Sequence, residues 1–134
     1  MNQERIDEKI REIEKYLEEL DSIKPDSLEE YTNLKEKAAC ERYFEKIIEA
    51  VIDLGFAILK SQSLDKPEDD RDVFNILERN NIIDPDLSQR MKEAKGMRNF
   101  ISHQYGDVND KLVFNAITKE LKKDVKNFID KIKK

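Results

Sequence analysis

Ile6, Ile10, Ile13, Leu17 and Leu20 recur at alternating spacings of four and three. On a helix of 3.6 residues per turn this spacing makes a single apolar stripe. The same rhythm recurs along most of the chain. Only three Gly and three Pro stand among its 134 residues, so few positions can interrupt it. Abundant Glu, Lys, Leu and Ile favour long helices. No segment alternates with the two-residue period of a strand. These features predict an all-α fold in one domain, 1–134.

The first helix is expected over about 2–22. Lys24-Pro25-Asp26-Ser27 ends it, because the residue before a proline is pushed out of the α region. Asp26 or Ser27 then caps a second helix over about 27–61. Apolar residues surround that helix from Phe44 to Leu59, so it should lie centrally, and Gly55 inside it marks a close helix neighbour. Pro67 can start a short helix that buries Val73, Phe74, Ile76 and Leu77. Asp84-Pro85 opens the next, with Leu87, Met91, Ala94, Met97 and Ile101 on one face and Gly106 as its C-terminal cap. Asn109 or Asp110 opens the last, with Val113, Ile117, Leu121, Val125, Phe128 and Ile132 inward. The short connections favour an antiparallel four-helix bundle core with one additional short helix.

Charged residues make up 41% of the chain, against an average of about 25%. The net charge of −5 argues mildly against non-specific binding to nucleic acid. Its distribution is uneven. Residues 1–20 carry seven acids and four bases, whereas residues 119–134 carry seven lysines against three acids. Arg90, Lys92, Lys95 and Arg98 add to the basic half, which could present a basic strip. A solvated helix face is the plainer reading of the lysine-rich tail. Cys40 stands alone, which suits a reducing compartment and a packing role. No apolar run approaches the roughly 20 residues that span a bilayer, and Met1–Arg5 is too charged to open a signal peptide. A cytoplasmic protein is expected. One His and one distant Cys build no zinc centre, and no Gly-rich phosphate loop is present, so neither metal nor cofactor is expected.

The informative stretch is Arg98-Asn99-Phe100-Ile101-Ser102-His103-Gln104-Tyr105, which holds the only His. The spacing R-x-x-x-x-H-x-Y around a given His arises by chance about once in several hundred. On these residues the chain resembles the HepT family of the HEPN superfamily. Ala39-Cys40-Glu41-Arg42-Tyr43-Phe44-Glu45-Lys46-Ile47-Ile48-Glu49-Ala50 is similar to that family's long-helix segment. Asn80-Asn81-Ile82-Ile83-Asp84-Pro85-Asp86-Leu87 is similar to its connector, and Gly96-Met97 before Arg98 also fits. The resemblance covers roughly residues 35–130. It implies an all-α homodimer and a metal-independent ribonuclease toxin. It also implies neutralisation by a minimal nucleotidyltransferase antitoxin, with Tyr105 at the position that partner adenylylates.

The chemistry of the residues agrees with that implication. The unperturbed pKa of a histidine lies near neutrality, so His103 can move protons. Arg98 stays charged and can fork onto a scissile phosphate. Asn99 can orient His103 or bind phosphate, Ser102 can hydrogen-bond phosphate or its own backbone, and Tyr105 can stack on a base. On a regular helix Arg98 and Tyr105 share a face, while Arg98 and His103 diverge by about 140°. Either the helix loosens near Ser102–Gly106, or a two-fold axis brings two motif helices together. RNA cleavage by its own 2′-hydroxyl wants a base there and an acid at the leaving 5′-oxygen. One chain offers one His; a symmetric dimer offers two. Two other readings stay open: a non-catalytic helical subunit that docks to and is modified by a nucleotidyltransferase, and a plain helical dimerisation protein.

Overall fold

The computed structural model describes residues 2–103 and 109–134. In order these form α1 (Asn2–Ile23), α2 (Leu28–Tyr31), α3 (Leu34–Ser61), α4 (Asp70–Arg79), α5 (Pro85–His103), α6 (Asp110–Asn115), a π-helical segment (Ala116–Glu120) and α7 (Leu121–Lys133). The described residues hold no strand, so the all-α expectation stands.

The stripe of α1 does what its spacing demands: Ile6, Ile10, Ile13, Leu17 and Leu20 are all buried. They pack on α3, which runs antiparallel to α1. Lys9 near the start of α1 lies 3.5 Å from Asp53 late in α3, and Tyr43 early in α3 donates to Glu19 near the end of α1 at 3.3 Å. On its other side α3 meets α4 at Gly55. A Cβ there would stand 2.5 Å from Cγ1 of Val73, so only glycine lets the two helices approach this closely. The interior of α3, from Phe44 to Leu59, is buried on most sides, as its apolar cylinder required.

Three boundaries differ from the sequence expectation. The second helix is broken. Ser27 Oγ accepts from the Glu30 amide at 3.2 Å to start α2. Thr32 Oγ1 donates to the Glu29 carbonyl at 2.6 Å, and Asn33 Oδ1 accepts from the Lys35 amide at 3.0 Å to start α3. Short polar side chains thus satisfy the backbone locally and compete with helix continuation. The break also lets Tyr31 sink fully into the core, its ring centroid 5.4 Å from that of Phe114. The short helix starts at Asp70 rather than at Pro67, because Asp69 Oδ1 caps the Asp72 amide at 2.8 Å. The last helix contains the π segment. Val113, Ile117, Leu121 and Val125 are spaced by four, and that spacing drifts by about 40° per step on an α-helix. The wider π turn takes back part of the drift, and all four stay buried.

The lysine-rich tail faces the acidic first helix. Lys122 pairs with Asp21, and Lys133 lies 4.0 Å from Glu14, which sets α7 antiparallel to α1. The tail thus meets acids of α1 through two of its lysines, and these two charge blocks offset one another in part. Arg90 lies 3.7 Å from Asp124, and Lys131 lies 4.0 Å from Asp84, so α5 is antiparallel to α7.

Candidate active site

The site is built at the C-terminal half of α5. Asp84 Oδ1 accepts from the Leu87 amide at 2.8 Å, so Asp84-Pro85 starts the helix as its sequence requires. Ser88 is fully buried and donates to the Phe74 carbonyl at 3.4 Å, while Lys92 donates to Asn75 Oδ1 at 2.8 Å. These bonds seat α5 on α4. Leu87 and Met91 anchor it in the core, and Ile101 is buried further along. The motif thus projects from a helix held on its apolar face.

Arg98 is half-buried. Its Nη2 donates to Glu49 Oε2 on α3 at 3.5 Å. Its Nε is buried and has no hydrogen-bond partner among the described residues. Asn99 is half-buried, whereas Phe100 is 47% exposed. The α5 backbone remains helical through His103. The side chains of Ser102 and His103, and residues Tyr105 and Gly106 altogether, lie outside the described residues.

A helix that persists to His103 bears on the two arrangements left open by the sequence. Positions 98 and 103 stay about 140° apart around the axis, so no loosening before His103 swings them together. Positions 100 and 103 are only about 60° apart. The exposed Phe100 ring therefore marks the side of α5 on which position 103 lies, away from the side that turns Arg98 to Glu49.

Glu49 is the site residue that sequence reasoning missed. It lies on a different helix, and nothing in its local spacing distinguishes it from the other glutamates of α3. Burial pushes the Cys40 thiol up to about 11, so this cysteine is a packing residue with little thiolate at neutral pH. Among the described residues no three His, Cys, Asp or Glu side chains gather as a metal site. No described helix is long and apolar enough to cross a membrane.

This all-α bundle has the fold of a HEPN toxin. The chain belongs to the ribonuclease HepT-like family, whose model matches residues 6–132. It is 36% identical to the mRNA nuclease HepT of Shewanella oneidensis over 89 residues, which span 66% of each of the two chains. It is 28% identical to the tRNA nuclease HepT of Aphanizomenon flos-aquae over 114 residues, 84% of this chain and 78% of that one. Among solved structures it superposes with a TM-score of 0.88 on the tri-AMPylated Shewanella oneidensis HEPN toxin in complex with its MNT antitoxin, at 29% identity and 96% coverage of both chains. A toxin–antitoxin complex with AMP-PNP matches with the same TM-score, at 28% identity.

Proposed function

We propose that this HepT-family ribonuclease is the toxin of a HEPN/minimal nucleotidyltransferase pair and cuts RNA as a homodimer through Arg98 and His103. The observation that carries the reading is the state of Arg98. Its guanidinium is half-buried towards the end of a fixed helix, with Nη2 on Glu49 and a buried Nε that has no acceptor among the described residues. An unmatched buried donor costs free energy until it meets an acceptor. A phosphate oxygen supplies one, and Arg–phosphate forks are among the stronger charge-assisted hydrogen bonds.

In the reaction, His103 of one chain takes the proton of the 2′-hydroxyl. The 2′-oxygen attacks phosphorus, the bond to the 5′-oxygen breaks, and His103 of the second chain gives that oxygen a proton. The products are a 2′,3′-cyclic phosphate and a free 5′-hydroxyl. Arg98 stabilises the charge that builds on the non-bridging oxygens. Asn99, Ser102 and Tyr105 serve RNA binding and the orientation of His103. Phe100, exposed on the side of position 103, supplies apolar surface for the two-fold contact that this chemistry needs.

The AMPylated Shewanella relative supports the same fate for Tyr105 here. Its hydroxyl would attack the α-phosphorus of ATP on the nucleotidyltransferase, with pyrophosphate leaving. The AMP would then place bulk and negative charge near Arg98 and block RNA. A cytoplasmic place of action fits the lone buried Cys40.

The test is RNA cleavage by freshly purified protein in the presence of a chelator, with the mass of the Tyr105 peptide recorded. The unmodified protein should cut, while Arg98→Ala, His103→Ala and the AMP-bearing protein should not. An unmodified wild type that binds the nucleotidyltransferase but leaves RNA intact would establish the non-catalytic subunit instead.

A further inference from the structure

A groove of about 230 Å³ runs between α1 and α3, lined among others by Tyr16, Arg42, Lys46 and Glu49. Arg42, Lys46 and Glu49 stand at spacings of four and three, hence on one face of α3. Glu49 belongs to both places: it lines the groove and holds Arg98. Its α3 lining runs from Arg42 to Asp53, so it passes the Arg98 site at Glu49. From Glu49 to Arg42 it extends roughly 10 Å along the helix axis.

Its charges are not equivalent. Lys9 is occupied at the Asp53 end, on the other side of Glu49 from Arg42, 3.2 Å from Glu12 and 3.5 Å from Asp53. Arg42 and Lys46 form no ion pair among the described residues. The Lys46 ammonium instead rests on two aromatic faces, 4.6 Å from the Tyr16 centroid and 5.1 Å from that of Tyr43. The two rings stand edge to face at 6.4 Å. Of the groove's three acids, Glu12 and Asp53 are taken by Lys9 and Glu49 by Arg98, which leaves Arg42 and Lys46 as two cations with no ion pair among the described residues, beside two tyrosines. Cations that track a backbone, with aromatic faces for bases, make up a single-strand binding groove.

We propose that this groove binds the RNA strand next to the scissile phosphate, with Arg42 and Lys46 on a neighbouring phosphate, and that Lys46 in turning to the phosphate uncovers the Tyr16 face for a base. The inference rests on the ribonuclease reading above and adds residues outside the motif to it. Its consequence is a preference for substrate length: a dinucleotide fills the cutting site alone, and a longer strand also fills the groove.

The test is steady-state cleavage of a twelve-nucleotide RNA and of a dinucleotide by wild type, Arg42→Gln, Lys46→Gln and the double variant, with melting temperatures as a check on folding. The double variant should raise KM for the long RNA about ten-fold or more and leave its kcat and the dinucleotide reaction unchanged. The slope of binding against salt should fall by about 0.7 for each lost phosphate contact. Equal KM for wild type and double variant on the long RNA would overturn the proposal. So would an equal loss on the dinucleotide, or a loss of nucleotidyltransferase binding with RNA binding intact. A wild type that cuts nothing would refute the ribonuclease reading. The groove would then be judged by fluorescence anisotropy of His103→Ala on the same RNA, where loss of binding on adding Arg42→Gln and Lys46→Gln supports it and no change rejects it.

Discussion

Arg98 donates from Nη2 to Glu49 at 3.5 Å, and its buried Nε has no acceptor among the described residues. Glu49 thus holds the guanidinium in place and also competes with any phosphate that arrives. The Glu49 side chain is 59% exposed, so the pair is screened by solvent and its net strength is of the order of 0.2–1 kcal/mol. Glu49→Gln keeps the shape and removes the competing charge. KM for RNA should fall by a factor of about 1.4 to five at low salt, the factor that this energy implies. The gain should vanish as salt screens the pair. A rise in KM would show that Glu49 serves chiefly to aim Arg98.

Gly55 and Val73 set the approach of α3 and α4. Gly55→Ala would gain about 1 kcal/mol of helix propensity. It would also place a methyl 2.5 Å from Val73 Cγ1. Val73 is stiff at its first side-chain torsion, and overpacking of this kind costs about 1–3 kcal/mol. The net effect should be a melting temperature lowered by several degrees, with part of the loss restored by adding Val73→Ala. An unchanged or raised melting temperature would mean the helices can separate at little cost.

Tyr31 is fully buried, and its hydroxyl has no hydrogen-bond partner among the described residues. Burial holds its ionisation well above the ordinary tyrosine range. A folded value above the unfolded one means stability that is complete below the unfolded value, about 10, and is lost as pH rises through the folded one. Lys37, raised by its hydrogen bond to Asp110, has the same sign. Urea midpoints should therefore be flat near neutrality and fall above about pH 10. Tyr31→Phe should stabilise the protein by about 1 kcal/mol at neutral pH, since it removes an unsatisfied buried group. It should also make the alkaline fall shallower. A loss of stability on that substitution would reveal a partner for the hydroxyl.

Features decided by neighbouring residues were legible in the sequence. The isoleucine stripe of α1, the Asp84-Pro85 start and the close approach at Gly55 all stand where local chemistry puts them. The break at Thr32–Asn33 was not legible, because both residues tolerate a helix. What favours the break is Tyr31 packing on Phe114, far along the chain. The two charge blocks were visible at the termini, but not that Lys122 and Asp21 face each other. Arg98 and its motif could be singled out by their spacing together with the family resemblance. Glu49 could not, since only the crossing of α3 and α5 brings it to Arg98.

Whether one RNA cleft uses His103 from two chains is decided by mixed dimers. Wild type and His103→Ala are unfolded together, refolded in equal amounts, and assayed for RNA cleavage in the presence of a chelator. If each cleft needs both histidines, only wild-type pairs cut, and activity per chain should fall to about a quarter of that of pure wild type. Activity of about one half, the value for chains that each cut alone, would contradict the account.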